Sequence, residues 1–131
     1  MEGIDQALEE AFSHCAVDPE RLAVGGFSDG ASYALSLGIT NGDLFGYILA
    51  FSPGFMAPAA QVGSPRVFIS HGTHDTVLAI DRCSRRIVAR LERVGYDVRY
   101  REFDGGHLVP PGIAREATDW FVALQNGRPV P

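Results

Sequence analysis

Leu22-Ala23-Val24-Gly25-Gly26-Phe27-Ser28-Asp29-Gly30-Ala31 reads as an apolar strand, a sharp turn carrying a serine, and the opening of a helix that runs to about Ile39. In that context G-x-S-x-G means a turn holding Ser28 in a strained backbone conformation, its hydroxyl exposed above a sheet. Side chains two residues to either side would collide, so Gly26 and Gly30 suit the turn. The pattern alone is weak, because a small residue in a strand-to-helix turn also suits phosphate binding at a helix N-terminus. The downstream order strengthens it. Asp75 follows in His71-Gly72-Thr73-His74-Asp75 and His107 in Gly105-Gly106-His107, giving serine, acid and histidine in one of their recurring chain orders.

Outward from the turn, the chain alternates strand and helix. Apolar strands are expected at 21–27, at Tyr47–Ser52 and at Arg66–Ser70, and a fourth at Asp97–Phe103. Helices are expected over 3–15, over about 80–94 and from Pro110-Pro111 through Leu124. In the second of these, Ile80, Cys83, Ile87, Val88, Leu91 and Val94 share a face, and Gly95 marks the stop. Such alternation implies parallel βαβ units with right-handed crossovers, in strand order 1-2-3-4. The first three strands read as covered on both faces. The fourth, alternating Val98 and Tyr100 with Arg99 and Arg101, reads as a half-exposed edge. The first strand is then the opposite edge, with one row of backbone groups unpaired, a liability that calls for a cover.

Composition narrows the class. At 131 residues, 46% hydrophobic and 21% charged, the chain suits one globular domain over 1–131. With 11 basic against 16 acidic residues, it fits neither nucleic acid nor an anionic membrane as partner. Every basic residue is arginine, and those at 82, 85, 86, 90 and 93 read as a solvated helix face. Two cysteines, Cys15 and Cys83, make no disulfide framework and read as buried thiols. The acidic start, with Glu2, Asp5, Glu9 and Glu10, and the lack of a long apolar run point to a cytoplasmic location.

At this point the residues resemble the predicted-esterase branch of the α/β-hydrolase superfamily, the phospholipase/carboxylesterase-like serine hydrolases. The resemblance rests on Asp18-Pro19-Glu20-Arg21 leading into Gly25–Ala31, on Phe51-Ser52-Pro53-Gly54, on His71–Asp75 and on Phe103–His107. It implies Ser28 as nucleophile, His107 as general base, Asp75 as the carboxylate that orients it, and the Asp29 backbone N–H as one oxyanion donor. The expected fold is a truncated α/β-hydrolase of about four parallel strands flanked by helices. Such enzymes usually carry several further strands before the helix that leads into the elbow, one of them with a loop giving the second oxyanion donor. Residues 1–20 do not resemble that loop, and the strands in question are those that would cover the open edge.

The chemistry expected is hydrolysis of small carboxylic esters through an acyl-enzyme. A neutral imidazole takes the serine proton as it attacks, and the carboxylate fixes the tautomer. Phe55 and Met56, after the second strand, are candidates for an acyl pocket or for ordinary loop packing. His74 is a candidate for the rim, and His71 for packing behind the site. Asp104 is an alternative carboxylate. His71 and His74 lie three apart after a strand, unlike the helical i, i+4 pair of hydrolytic zinc sites, so neither metal nor cofactor is expected. The other reading is a catalytically weak remnant that self-associates through the first strand edge as a homo-oligomer. A phosphate-binding module using Gly25-Gly26 lacks the expected lysine.

Overall fold

The structure is a computed structural model that describes residues 22–126. The helix expected over 3–15, Cys15, the turn at 18–20 and Arg21 lie outside the described residues. Four strands, β1 (Leu22–Phe27), β2 (Phe45–Phe51), β3 (Arg66–Gly72) and β4 (Val98–Phe103), form one sheet in the order β1-β2-β3-β4. All three pairings are parallel, as the strand–helix alternation requires. The helices are α1 (Asp29–Thr40), α2 (Ser84–Arg93) and α3 (Pro111–Gln125).

Two cores sandwich the sheet. One joins Ala31, Leu35 and Ile39 of α1 and Ile87, Val88 and Leu91 of α2 to Ile48, Ala50, Val67 and Ile69. The other packs Ile113, Ala117, Trp120 and Phe121 of α3 on Tyr47, Leu49, Phe51 and Phe68. Phe68 and Phe121 are completely buried, and each such side chain contributes about 1.5–3 kcal/mol over leaving it in water. Tyr47 meets Phe121 edge to face at 5.0 Å between ring centroids.

The structure corrects three expectations. β1 is only half-buried over Leu22–Gly25, whereas the middle of β2 and β3 is fully enclosed, although Val24 packs on the core of one face and Ala23 and Phe27 on that of the other. The α2 helix begins at Ser84, not near 80. Residues 79–83 form successive turns in which the Arg82 and Cys83 N–H groups both reach the Ala79 carbonyl, and Cys83 has a non-helical backbone. Val94 falls past the helix end and is exposed, ahead of Gly95 at φ 94°. On β4, Arg101 and Arg99 are held 2.9 and 3.6 Å from the Glu116 carboxylate of α3, while Val98 and Tyr100 pack towards α1 and α2. β4 is nonetheless the half-exposed edge strand expected, with Arg101 and Glu102 exposed.

Candidate active site

The carboxyl ends of the parallel strands carry the chemistry-bearing residues, as open α/β sheets do. Ser28 follows β1 with φ 60° and ψ −119°, a conformation that costs a non-glycine residue about 1–3 kcal/mol. Its N–H is tied to the Phe51 carbonyl at 2.9 Å and its carbonyl receives the Ser32 N–H, so the strain is held from both sides. A Cβ on Gly26 would run into the Gly30 carbonyl, which is the close approach the motif demands. Asp29 opens α1, and its N–H is one of the first-turn donors that a helix leaves without an internal acceptor.

Seventy-nine residues on, His107 returns to this turn. Its Nε2 lies 2.9 Å from Ser28 Oγ and its Nδ1 2.7 Å from Asp75 Oδ2. The Ser28 hydroxyl can donate to Nε2 while the Nδ1–H donates to the carboxylate. The Phe27 ring packs beside the imidazole, centroids 4.8 Å apart. The other oxygen of Asp75, Oδ1, accepts the Val77 N–H at 2.9 Å and the Leu78 N–H at 2.7 Å. Burial pushes the Asp75 carboxyl up, but the Leu78 N–H, the His107 ring and the Val77 N–H outweigh it and hold the group below its ordinary range.

Two loops are stitched together to make this possible. The Thr73 N–H bonds the Phe103 carbonyl and the His74 N–H bonds the Gly105 carbonyl, each at 2.9 Å. A Cβ on Gly72 would strike the Gly105 and Gly106 carbonyl oxygens, so only glycine lets the His107 loop lie this close to the Asp75 turn.

The remaining candidates separate. His74 is 72% exposed and its Nδ1 pairs with Asp104 Oδ1 at 2.8 Å, beside the His107 loop. Asp104 thus faces His74, and it is Asp75 that meets His107. Phe55 and Met56 line a groove of about 480 Å³ with Ile87, Arg82, Arg86, Arg90 and Arg93 of α2; Ser28 and His107 are not among its lining residues. Arg85, on the same helix, pairs with Asp81 and with Glu102. Cys83 is buried, its thiol pushed up by burial and then by the Asp75 charge.

Sequence reasoning missed a row of hydroxyls on α1. Ser32 Oγ accepts the Gly54 and Phe55 N–H groups at 2.9 and 3.1 Å, Ser36 Oγ the Ala57 N–H at 2.9 Å, and Thr40 Oγ1 the Ala59 N–H at 3.0 Å. Each also donates to the carbonyl four residues back. The signal was present: three hydroxyls at i, i+4 and i+8 on a helix facing a loop of Pro, Gly and Ala.

The sequence profile of the phospholipase/carboxylesterase family matches residues 1–112. Acyl-protein thioesterase 1 of Gibberella zeae is 29% identical over 103 residues, covering 71% of this chain and 43% of the thioesterase. Among solved structures, esterase PE8 superposes with a TM-score of 0.69 at 28% identity, over 87% of this chain and 55% of that one. The Bacillus cereus carboxylesterase has the same fold, with a TM-score of 0.68 at 23% identity over 89% of this chain and 56% of its own. The chain spans about half the length of the relatives it matches.

Proposed function

We propose that this chain, which belongs to the phospholipase/carboxylesterase family of α/β-hydrolases, is a serine hydrolase that cleaves small carboxylic esters. Ser28 Oγ attacks the acyl carbon while His107 Nε2 takes its proton. The alkoxide leaving group departs with that proton, and the acyl-enzyme forms on Ser28. Water, deprotonated by the same imidazole, then releases the carboxylic acid and restores the serine. Asp75 keeps the proton on Nδ1 and stabilises the imidazolium in each half. The Asp29 N–H serves as an oxyanion donor at the helix N-terminus.

The observation that carries this reading is the continuous hydrogen-bond chain from Ser28 through His107 to Asp75, joined to a serine in a strained elbow. Neither the fold nor a lone serine would predict both. Hydrolysis of p-nitrophenyl acetate, together with covalent labelling by a fluorophosphonate, is the test. Activity that disappears, with the label, in Ser28→Ala supports the reading. An unlabelled Ser28 in folded protein, with hydrolysis unchanged by the substitution, refutes it. His74 is proposed to border the ester's approach, being exposed beside the His107 loop. Phe55 and Met56, which line the groove along α2, are proposed to contact the acyl group of longer substrates.

A further inference from the structure

His71 is the most enclosed titratable side chain near the site, with no exposure at all, yet it touches neither Ser28 nor any position open to substrate. Its ring is fully engaged. Nδ1 lies 2.6 Å from Ser84 Oγ, while Nε2 lies 2.7 Å from the Leu78 carbonyl and 3.2 Å from Asp75 Oδ2. Both neighbours of Nε2 are acceptors, so that nitrogen must carry a proton. In the neutral ring Nδ1 is then a lone pair, and the Ser84 hydroxyl, itself completely buried at the start of α2, donates to it.

We infer that His71 is a positioning residue, whose Nε2–H holds the Leu78 carbonyl, and with it the turn that grips Asp75, and stands against the Asp75 oxygen that accepts the His107 Nδ1–H. Asp75 Oδ2 stands between two histidines, 2.7 Å from His107 and 3.2 Å from His71. Its partner oxygen is pinned by the Val77 and Leu78 N–H groups. The Nε2–H holds the Leu78 carbonyl, and the Leu78 N–H holds Asp75, so one imidazole secures the turn that grips the carboxylate. A carboxylate free to rotate would meet His107 at varying angles. Misplacement of about 1 Å in such a constellation costs about 10²-fold in rate.

The catalytic part of this inference rests on the Ser28–His107–Asp75 reading, and the test separates the two. In p-nitrophenyl acetate hydrolysis, His71→Leu is expected to lower kcat by about 10²-fold with KM unchanged. His71→Gln, which can return an N–H to the same place, is expected to recover most of that loss. Wild-type kcat in folded His71→Leu, or no rescue by glutamine, overturns the inference. Should the leucine variant fail to fold, ¹⁵N-histidine NMR of the wild-type chain and of Ser84→Ala decides it without any turnover. A proton on His71 Nε2, retained in Ser84→Ala because the Leu78 carbonyl and Asp75 still face that nitrogen, supports the assignment; a proton on Nδ1 in the wild type refutes it. An inactive wild type that shows the Nε2 proton defeats the esterase reading and leaves the positioning geometry standing.

Discussion

Asp75 is a completely enclosed carboxylate that every neighbouring donor favours in its charged form. The Leu78 and Val77 N–H groups and His107 all stabilise the anion against the cost of burial. Two outcomes follow for Asp75→Asn. The amide can still accept at one oxygen but cannot hold the imidazolium, so kcat should fall by about 10⁴-fold with little change in KM, measured on p-nitrophenyl acetate. The second outcome concerns acid. A carboxyl whose pKa is lowered on folding adds stability that is fully present above its unfolded value, about 3.9, and is lost as pH falls through the folded value. Wild type should therefore lose more stability than Asp75→Asn between pH 5 and pH 2, read from urea midpoints. An equal loss would mean that the carboxylate is no better solvated in the fold than in the open chain. The sequence made the three site residues legible because strand–turn–helix context, glycine spacing and chain order all constrained them together. It favoured Asp75 over Asp104 as the carboxylate that meets His107, without the contact that decides between them. That choice is made by the pairing of the Thr73–His74 and Phe103–Gly105 backbones, a contact between loops thirty residues apart.

Elements, rather than single residues, set the position of the loop after β2. Its backbone has few partners of its own, and α1 supplies them through Ser32, Ser36 and Thr40. The same helix starts at the elbow, so the loop and Ser28 are carried by one rigid body. Ser32→Ala would leave the half-buried Gly54 N–H and the Phe55 N–H without the acceptor that the buried Ser32 hydroxyl supplies, at a cost of about 1 kcal/mol. The expected result is a lower urea midpoint with unchanged slope, and faster amide exchange at Gly54 and Phe55; unchanged exchange there would sink the idea. On the other side of the site, Gly72→Ala forces β3 away from the His107 loop. Overpacking of this kind costs about 1–3 kcal/mol, and kcat should suffer out of proportion to stability, because the displaced loop carries the base. Periodicity revealed α2 well in its middle and poorly at its ends. Apolar spacing continues back through Ile80 and Cys83, but the chain there must first satisfy the turn around Asp75, and Ser84 is where regular helix begins. Hydrophobic pattern reports which face is buried and is silent about what the backbone does before the first helical bond.

For the whole molecule, the unresolved force is at the β1 edge. β1 pairs with β2 on one side and, among the described residues, with no strand on the other. Leu22, Ala23, Val24 and Gly25 are all half-buried, in contrast to the closed interior of β2 and β3. An apolar strand with an open row of N–H and C=O groups is a template for a further strand. Side-chain packing from a helix shields its faces without pairing that row. Strand pairing between two copies, related by a twofold axis that places β1 against β1, would satisfy both rows at once and bury the apolar residues beside them. We therefore expect the chain to sediment as a dimer or larger species at micromolar concentration and to dissociate on dilution. The β1 amides should exchange slowly in the associated form and quickly in the dilute one. Exchange also separates the alternatives: a monomer at every concentration with β1 amides protected would mean that the chain covers its own edge. A monomer with those amides fast would mean the edge is tolerated open. Either result defeats self-association. Esterase activity gives an independent reading, because Ser28 follows directly from β1 and its backbone geometry depends on that strand being held. If pairing steadies β1, specific activity should rise with protein concentration along the same curve as the sedimentation coefficient.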